Sequence, residues 1–221
     1  MASETKKIAI YGAGGFAREV AWLVQSCNLG ANHYEVVCFL DDFVDVEDKI
    51  LNGIPVVKLE SVVQRFPDAA VVGGVGNSQL RQRLMAKAAA LGLSFETIVH
   101  PRVEKSDWIE LGIGTVICAG NILTTNIRIG RHVQINLDCT IGHDVVMDDF
   151  VTLAPGVHVS GNVRFGKRVY VGTGAVILNG TSDKPIMIGD DAVIGAGACV
   201  TKSVPQEQTV VGVPAKPIQR K

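Results

Sequence analysis

The sequence predicts two architectures in one chain: a small doubly wound α/β domain, then a parallel β-solenoid built from six-residue units. Three observations predict it. Near the start, "KKIAIYGAGGFAREVAWLVQSC" joins an apolar strand to a helical pattern through a glycine-rich turn. From Leu111 to Ile177 one apolar position recurs every six residues without a miss. The same pattern breaks after Ile177 and resumes at Ile188, Ile194 and Val200, eleven residues on rather than six or twelve.

The whole-chain numbers limit the function classes. A chain of 221 residues, 47% apolar and 19% charged, is expected to form one or two soluble globular domains. A net charge of -1 without a basic run leaves no footprint for nucleic acid or a membrane surface. The five cysteines lie far apart and form no CxxC pair, so neither a zinc site nor a disulfide framework is expected. They suit buried thiols in a reducing cytoplasm. "MASETKK" leads straight into a strand-like "IAIY", which lacks the features of a signal peptide. No apolar run approaches the roughly 20 residues of a membrane span.

In the first third, "KKIAIY" reads as a strand and Val20, Leu23, Val24 and Cys27 recur at helical spacing after the glycine turn. "YEVVCFLDDF" is a second strand ending at Asp41 and Asp42, and "AAVVGGVGN" a further strand before the helix "SQLRQRLMAKAAALG". Gly12, Gly14 and Ala17 satisfy GxGxxA, the dinucleotide fingerprint, which on its own is a weak signal. Gly12, Gly14 and Gly15 would let backbone N–H groups and a helix N-terminus approach the phosphates of any nucleotide diphosphate. A tight turn needing positive φ explains the same glycines. Asp41 and Asp42 follow a strand's carboxyl end, where open α/β sheets bind ligands, and suit a base or ribose; as turn carboxylates they would be ordinary.

Twelve consecutive hexad hits would arise by chance with odds on the order of one in ten thousand at this composition, so the repeat is genuine. A six-residue unit with one inward aliphatic residue is too short to turn back as a hairpin. Successive short strands must therefore wind as a parallel solenoid, and three hexads per coil give a triangular prism with 18 residues per turn. A second apolar or small row, including Val133, Cys139, Val145 and Val151, follows four residues behind the first. "NGTSDKP" reads as a loop pushed out of the wall.

Phase then singles out one histidine. His143 lies two positions after inward Ile141 and should point away from the core. One coil further is Gly161 and the next is Asn179, so a bare backbone should lie beside the imidazole on the outer wall. A solvated turn histidine remains the bland alternative. His158 takes a similar outward or corner position and ranks below it; His33, His100 and His132 show no constellation, and no metal-ligand cluster is visible.

"YGAGGF", "FLDD", "GNSQLR", "IVHP", Ile135 with Asn136, "GHD", "VHVSGNV" and "VVGVPAK" together resemble the PglD/NeuD-like hexapeptide-repeat sugar acetyltransferases over nearly the whole chain. The resemblance implies an N-terminal Rossmann-like nucleotide-sugar-binding domain over 1–98. It also implies a left-handed parallel β-helix acyltransferase domain over 103–203, and a tail over 204–221 that completes the acetyl-CoA site. It gives the coil its left hand, which the period does not show. It places a nucleotide-linked amino sugar (UDP-, GDP- or dTDP-linked) near Gly12, Gly14, Gly15, Phe16, Asp41, Asp42, Asn77, Arg81 and Asn136. Acetyl-CoA would lie along the solenoid near Gly161, Thr173, Asn179 and Lys216, between neighbouring subunits of a homotrimer. One departure is Phe16, where many relatives carry histidine.

By this resemblance His143 is the general base and Asp144 the carboxylate that orients it. An amine attacks a thioester only with a free lone pair, which requires a base within hydrogen-bond reach. Adjacent strand residues face opposite ways, so contact between His143 and Asp144 needs a bend. A backbone N–H at or near Gly161 is the expected oxyanion donor. The leading expectation is acetyl-CoA-dependent N-acetylation of an amino nucleotide-sugar for bacterial glycan synthesis in the cytoplasm, with no metal. Sugar O-acetylation of the sialic-acid type and a non-catalytic nucleotide-binding scaffold stand as alternatives.

Overall fold

A computed structural model describes residues 5–29, 33–42 and 49–218. The chain divides into two compact units, Met1–Pro101 and Arg102–Lys221.

In the first unit the strands are β1 (Lys6–Tyr11), β2 (Tyr34–Leu40), β3 (Ile50–Leu51), β4 (Ile54–Val57) and β5 (Ala70–Gly73), with helices α1 (Gly15–Cys27), α2 (Leu59–Arg65) and α3 (Ser78–Ala90). The sheet order is β3-β4-β2-β1-β5, and β1 pairs in parallel with both β2 and β5. Ile8, Ala9, Ile10 and Tyr11 are all buried, as expected of a strand covered on both faces. From β1 the chain steps to β2 on one side and later to β5 on the other. A crevice therefore opens beyond the carboxyl ends of β1 and β5, where doubly wound sheets bind ligands.

The β3–β4 hairpin and α2 were not anticipated. The hairpin's signal is the dipeptide at Asn52 and Gly53, whose φ values of 51° and 80° suit a primed turn. At 7 residues α2 is too short to display a helical period.

In the second unit the hexads form three parallel walls. Wall one carries Ile122–Leu123, Thr140–Ile141, His158–Val159, Val176–Ile177 and Cys199–Val200; wall two carries Ile109–Leu111, Ile127–Ile129, Val146–Met147, Val163–Phe165 and Ile186–Ile188. Wall three runs from Val116–Ile117 through Gln134–Ile135, Thr152–Leu153, Tyr170–Val171 and Val193–Ile194. Leu123 pairs with Ile141, Ile141 with Val159 and Val159 with Ile177, a spacing of 18 residues per coil. Of the hexad row only Leu111, in the first coil, is not fully buried; the second row, from Ile127 to Ala175, is buried throughout. Stacked aliphatic layers thus replace a helix-covered core, each buried Val, Leu or Ile contributing about 1.5–3 kcal/mol.

The corners explain the turn residues. A left-handed backbone conformation recurs every six residues from Gly114 to Gly174, at Asn126, Asp138, Asp144 and Asn162 among others. Asn and Asp adopt it at least cost among side-chain-bearing residues. The exceptions His132, Phe150 and Arg168 stack on one corner, 18 residues apart. There the His132 and Phe150 rings lie 5.0 Å apart and Arg168 pairs with Asp191, so contacts between coils offset the backbone strain.

After Ile177 the spacing rises from 18 to 23, since Phe165 pairs with Ile188 and Ile177 with Val200. The extra residues form a turn closed by mutual backbone bonds between Thr181 and Lys184. Wall three runs on past residue 203: Thr209–Val211 pairs in parallel with Val193–Ile194, and Lys216–Ile218 folds back against it. Cys27, Cys38, Cys118 and Cys139 are buried, whereas Cys199 is half-buried.

Candidate active site

Two sites emerge, one in each unit. In the first unit a cavity of about 500 Å³ lies at the predicted crevice, lined by Gly12, Gly14, Gly15 and Phe16 after β1, Asp41 and Asp42 after β2, Gly74–Gly76 after β5, and Leu80, Leu84 and Lys87 of α3. Gly12 has φ +124°, and a Cβ there would lie 2.9 Å from the Gly74 carbonyl, so conformation and close approach both demand glycine. Gly14 precedes the N-terminus of α1 and bears no side chain to cap it. That leaves the first N–H groups of a 13-residue helix to an anion.

Asp42 accepts a 2.6 Å hydrogen bond from the Tyr11 hydroxyl and pairs with Lys87 at 2.9 Å. Burial pushes its carboxyl up, but the bonds from Lys87 and Tyr11 outweigh this and hold it below the ordinary value. Burial, then the bond to Asp42, pushes the Tyr11 phenol far above its usual range.

Asn77 and Arg81 stand outside this lining. Asn77 caps α3, its Oδ1 accepting from the Leu80 N–H at 2.8 Å. Arg81 is 1% exposed and donates to the Val75 and Gly76 carbonyls, so it braces the loop after β5 from behind. Lys87 and Tyr11 were missed. Leu80, Leu84 and Lys87 follow an i, i+4, i+7 spacing on α3, and that phase was the available signal.

In the second unit His143 and Asp144 occupy the corner between walls one and two. The required bend exists: Asp144 has φ +58°, one of the repeating left-handed corners. It turns the carboxylate back, and His143 Nδ1–H donates to Asp144 Oδ2 at 2.8 Å. The backbone is pinned on both sides, since Asn162 N–H donates to the His143 carbonyl at 2.9 Å and Asp144 N–H to the Thr125 carbonyl at 3.2 Å. Asn126, one coil earlier, donates to Asp144 Oδ1 at 3.4 Å. Coil arithmetic from Asp144 would have found it.

Both side chains are about half exposed. With the proton on Nδ1 facing a carboxylate, Nε2 carries the lone pair and can accept a proton. His158 instead bonds Thr140 Oγ1 at 2.9 Å through Nδ1.

The residues expected along acetyl-CoA separate. Gly161 and Asn179 share the His143 corner, one and two coils on. Gly161 lies directly beside the imidazole: a Cβ there would fall 2.4 Å from His143 Cε1 and Nε2. Thr173 lies at the next corner, between walls three and one, and Lys216 in the strand that closes wall three; both are exposed. Asn136 is buried between coils, donating to the Leu153 carbonyl of the next coil at 2.8 Å while its backbone carbonyl accepts from the Asn121 side chain of the preceding one. Among the described residues no cluster of His, Cys, Asp and Glu could hold a metal ion, and no helix is long and apolar enough to cross a membrane.

Comparison with known proteins places both sites in context. Residues 7–88 match the family model described as the PglD N-terminal domain. The chain is 33% identical over 213 residues to GDP-perosamine N-acetyltransferase of Escherichia coli O157:H7, covering 96% of both chains. Among solved structures, WeeI from Acinetobacter baumannii AYE superposes with TM-score 0.88 at 38% identity, covering 97% of this chain and 100% of that one. The acetyltransferase domain of PglB from Neisseria gonorrhoeae FA1090, in complex with acetyl coenzyme A, matches with TM-score 0.85 at 31% identity over 97% and 100% of the two chains. A histidine-to-asparagine variant of perosamine N-acetyltransferase from Caulobacter crescentus, in complex with CoA and GDP-perosamine, matches with TM-score 0.84 at 26% identity over 97% of each chain. The fold they share with this chain is a Rossmann-like domain followed by a left-handed parallel β-helix.

Proposed function

The chain belongs to the PglD-like hexapeptide-repeat sugar acetyltransferases, and on that premise we propose that it transfers an acetyl group from acetyl-CoA to the amine of a nucleotide-linked amino sugar. The observation that carries the reading is the Nδ1–H bond from His143 to Asp144, which leaves Nε2 as a proton acceptor on an exposed corner. Acetyl-CoA supplies the acetyl group as a thioester.

His143 Nε2 takes the proton that the amine loses as its nitrogen bonds the acetyl carbon, and gives it to the CoA sulfur as the C–S bond of the tetrahedral adduct breaks and the free thiol leaves. Asp144 fixes the tautomer and stabilises the imidazolium that results. Gly161, by lacking a side chain, leaves room for the ring beside the next coil. Backbone N–H groups of that corner are the candidates to meet the developing oxyanion. Asn179 is proposed to line the acetyl-CoA path, with Thr173 and Lys216 contacting the carrier farther from the thioester. On the acceptor, the glycine loop and the α1 N-terminus hold the diphosphate, while Asp41 and Asp42 face the nucleoside. Phe16 adds an apolar wall, so the acceptor is held there by contact with its rings or carbons.

A homotrimer in the cytoplasm, serving bacterial glycan synthesis, completes the proposal. Trp108, Ile122, Leu178 and Met187 expose apolar surface on the single chain, which supports burial against copies of itself. A monomer in light scattering at micromolar concentration would refute the trimer. The activity is tested by thiol release from acetyl-CoA with a panel of UDP-, GDP- and dTDP-linked amino sugars. Release is expected with a free amine and not with its N-acetylated counterpart. Release from hydroxyl-only sugars, or from none of the panel, would overturn the reading.

A further inference from the structure

The His143–Asp144 pair has a weakness that its own corner answers. Both side chains are about half exposed, and a pair so placed competes with water for each partner and contributes little by itself. Which ring nitrogen carries the proton is set by the bond it makes, so the lone pair stays on Nε2 only while Asp144 is held against Nδ1. Asp144 Oδ2 accepts the Nδ1–H at 2.8 Å, which leaves Oδ1 and the side-chain torsions to be fixed from elsewhere.

The preceding coil fixes them. Arg128 pairs with Val146, so Asn126 lies beside Asp144 on the same corner, 18 residues earlier. Its Nδ2 donates to Asp144 Oδ1 at 3.4 Å, and the neighbouring Thr125 carbonyl accepts the Asp144 N–H at 3.2 Å. Residues 125 and 126 therefore grip Asp144 at both its backbone and its carboxylate. The chain at Asn126 is anchored in turn one coil further down, where the Ile127 N–H donates to the Trp108 carbonyl at 3.1 Å.

Asn126 has φ +54°, a conformation open to glycine, asparagine and aspartate. Of the three, only asparagine sets an N–H donor against a carboxylate; aspartate would set a like charge there. Resting on the reading of His143 as the base, we propose that Asn126 is a positioning residue for the transfer step. It holds Asp144 so that the neutral imidazole keeps its proton on Nδ1 and offers Nε2 to the amine, and it touches neither substrate. At 3.4 Å the bond is long, so its share of the rate is modest.

The test compares Asn126→Gly and Asn126→Asp in the full chain and in an Asp144→Gly background. Asn126→Gly removes the side chain where φ suits glycine, so the melt should be native and both KM values unchanged while kcat falls about 5-fold. Asn126→Asp is closer in shape but puts an acceptor where the donor was. It should cost more, about 10-fold, because the two carboxylates repel and Asp144 turns from the ring. In the Asp144→Gly background each change should cost less than about 2-fold, since its effect passes through Asp144.

A second readout needs no substrate. In nitrogen-15 NMR of histidine-labelled protein at alkaline pH, with His143 assigned by its loss in His143→Gln, the ring should carry its proton on Nδ1. Asn126→Gly should move part of that population to Nε2–H. Near-normal kcat in both Asn126 variants of an enzyme that His143→Ala disables would overturn the proposal and leave the base in place. So would equal losses in the two backgrounds, a loss confined to a KM, or an unaltered tautomer. If His143→Ala is itself close to normal, the base reading falls and takes this one with it.

Discussion

The two units make their sites in opposite ways. The α/β unit gathers its cavity from four stretches far apart in sequence, after β1, β2 and β5 and along α3, so each ligand-facing group depends on the whole sheet being in register. The solenoid builds its site at one corner, where residues 18 apart in sequence become neighbours, and each coil touches only the next. His143, Gly161 and Asn179 are brought together by counting, whereas Tyr11, Asp42 and Lys87 are brought together by tertiary packing. On the proposed function, the transfer step falls to the rigid repeat and selection of the acceptor to the unit whose loops can vary. Changes at the solenoid corner should therefore fall on kcat, and changes in the cavity on the acceptor KM.

The largest effect tests that division directly. His143→Ala should lower kcat by about 100-fold or more and leave the melting temperature nearly unchanged, because the side chain is half exposed and outside the buried rows. Steady-state kinetics with a thermal melt decides it. A rate within about 3-fold of normal at neutral pH would take the base away from this corner.

Gly161→Ala should come next, with kcat down by about 10- to 100-fold. The new Cβ would overlap the imidazole at 2.4 Å, and the ring, as the free end of a side chain, can swing aside without disturbing the coil. A displacement of about an ångström is enough to cost that much in rate. The expected signature is a native melt, a lowered kcat and acceptor binding that is unaltered. A wild-type rate would show that the seat over Gly161 does not set the position of the base.

These two predictions rest on the part of the molecule most legible from sequence. The hexad row, the outward phase of His143 and the neighbour at Gly161 all follow from a period of six and a coil of 18. What the period does not contain is the backbone at Asp144, whose left-handed φ turns its carboxylate onto the preceding ring. Asparagine, aspartate and glycine at most of the other corners carry that signal, but it becomes readable only once the corners are located. Nor does a period tell where an imidazole rests, and the closeness of the His143 ring to Gly161 is read only from the structure. The cavity is legible in its loops and opaque in its contacts. "GAGGF" and "LDD" mark strand ends, yet Arg81 turned inward and Tyr11 and Lys87 turned toward Asp42 are outcomes of packing that one sequence pattern does not separate.

On the cavity side, Asp41→Ala should raise the acceptor KM by about 10-fold and leave the KM for acetyl-CoA and kcat nearly alone. Asp41 lies just beyond β2, with its N–H bonded to the Val57 carbonyl, so the loop keeps its backbone anchor when the side chain is removed. Equal rises in both KM values would mean that the two units do not divide the work as proposed.

The smallest effect is expected where the repeat is interrupted. Val163 pairs with Ile186, and Asn162 and Gly180 are the corner residues that precede them in successive coils. Removing residues 181–185 would join Gly180 to Ile186 and restore a strict spacing of 18. The ladder bonds that flank the loop, Gly180 N–H to the Gly161 carbonyl and Ile186 N–H to the Asn162 carbonyl, belong to the coil and can survive. The bonds lost are those between Thr181 and Lys184, which close only the loop itself. Glycine at position 180 can adopt the left-handed corner that Asn162 adopts one coil earlier. Shortening a surface loop changes closure entropy by well under about 1 kcal/mol, so the melt should move by no more than a few degrees. The rate should stay within about 3-fold, because the His143–Asp144 bond and the Gly161 seat lie in coils that the deletion leaves intact. Measured by thermal melt and kinetics, a failure to fold would show that residues 181–185 are part of the wall. A native melt with a large loss confined to the KM for acetyl-CoA would instead give the loop a share of that site and sharpen the division between the two units.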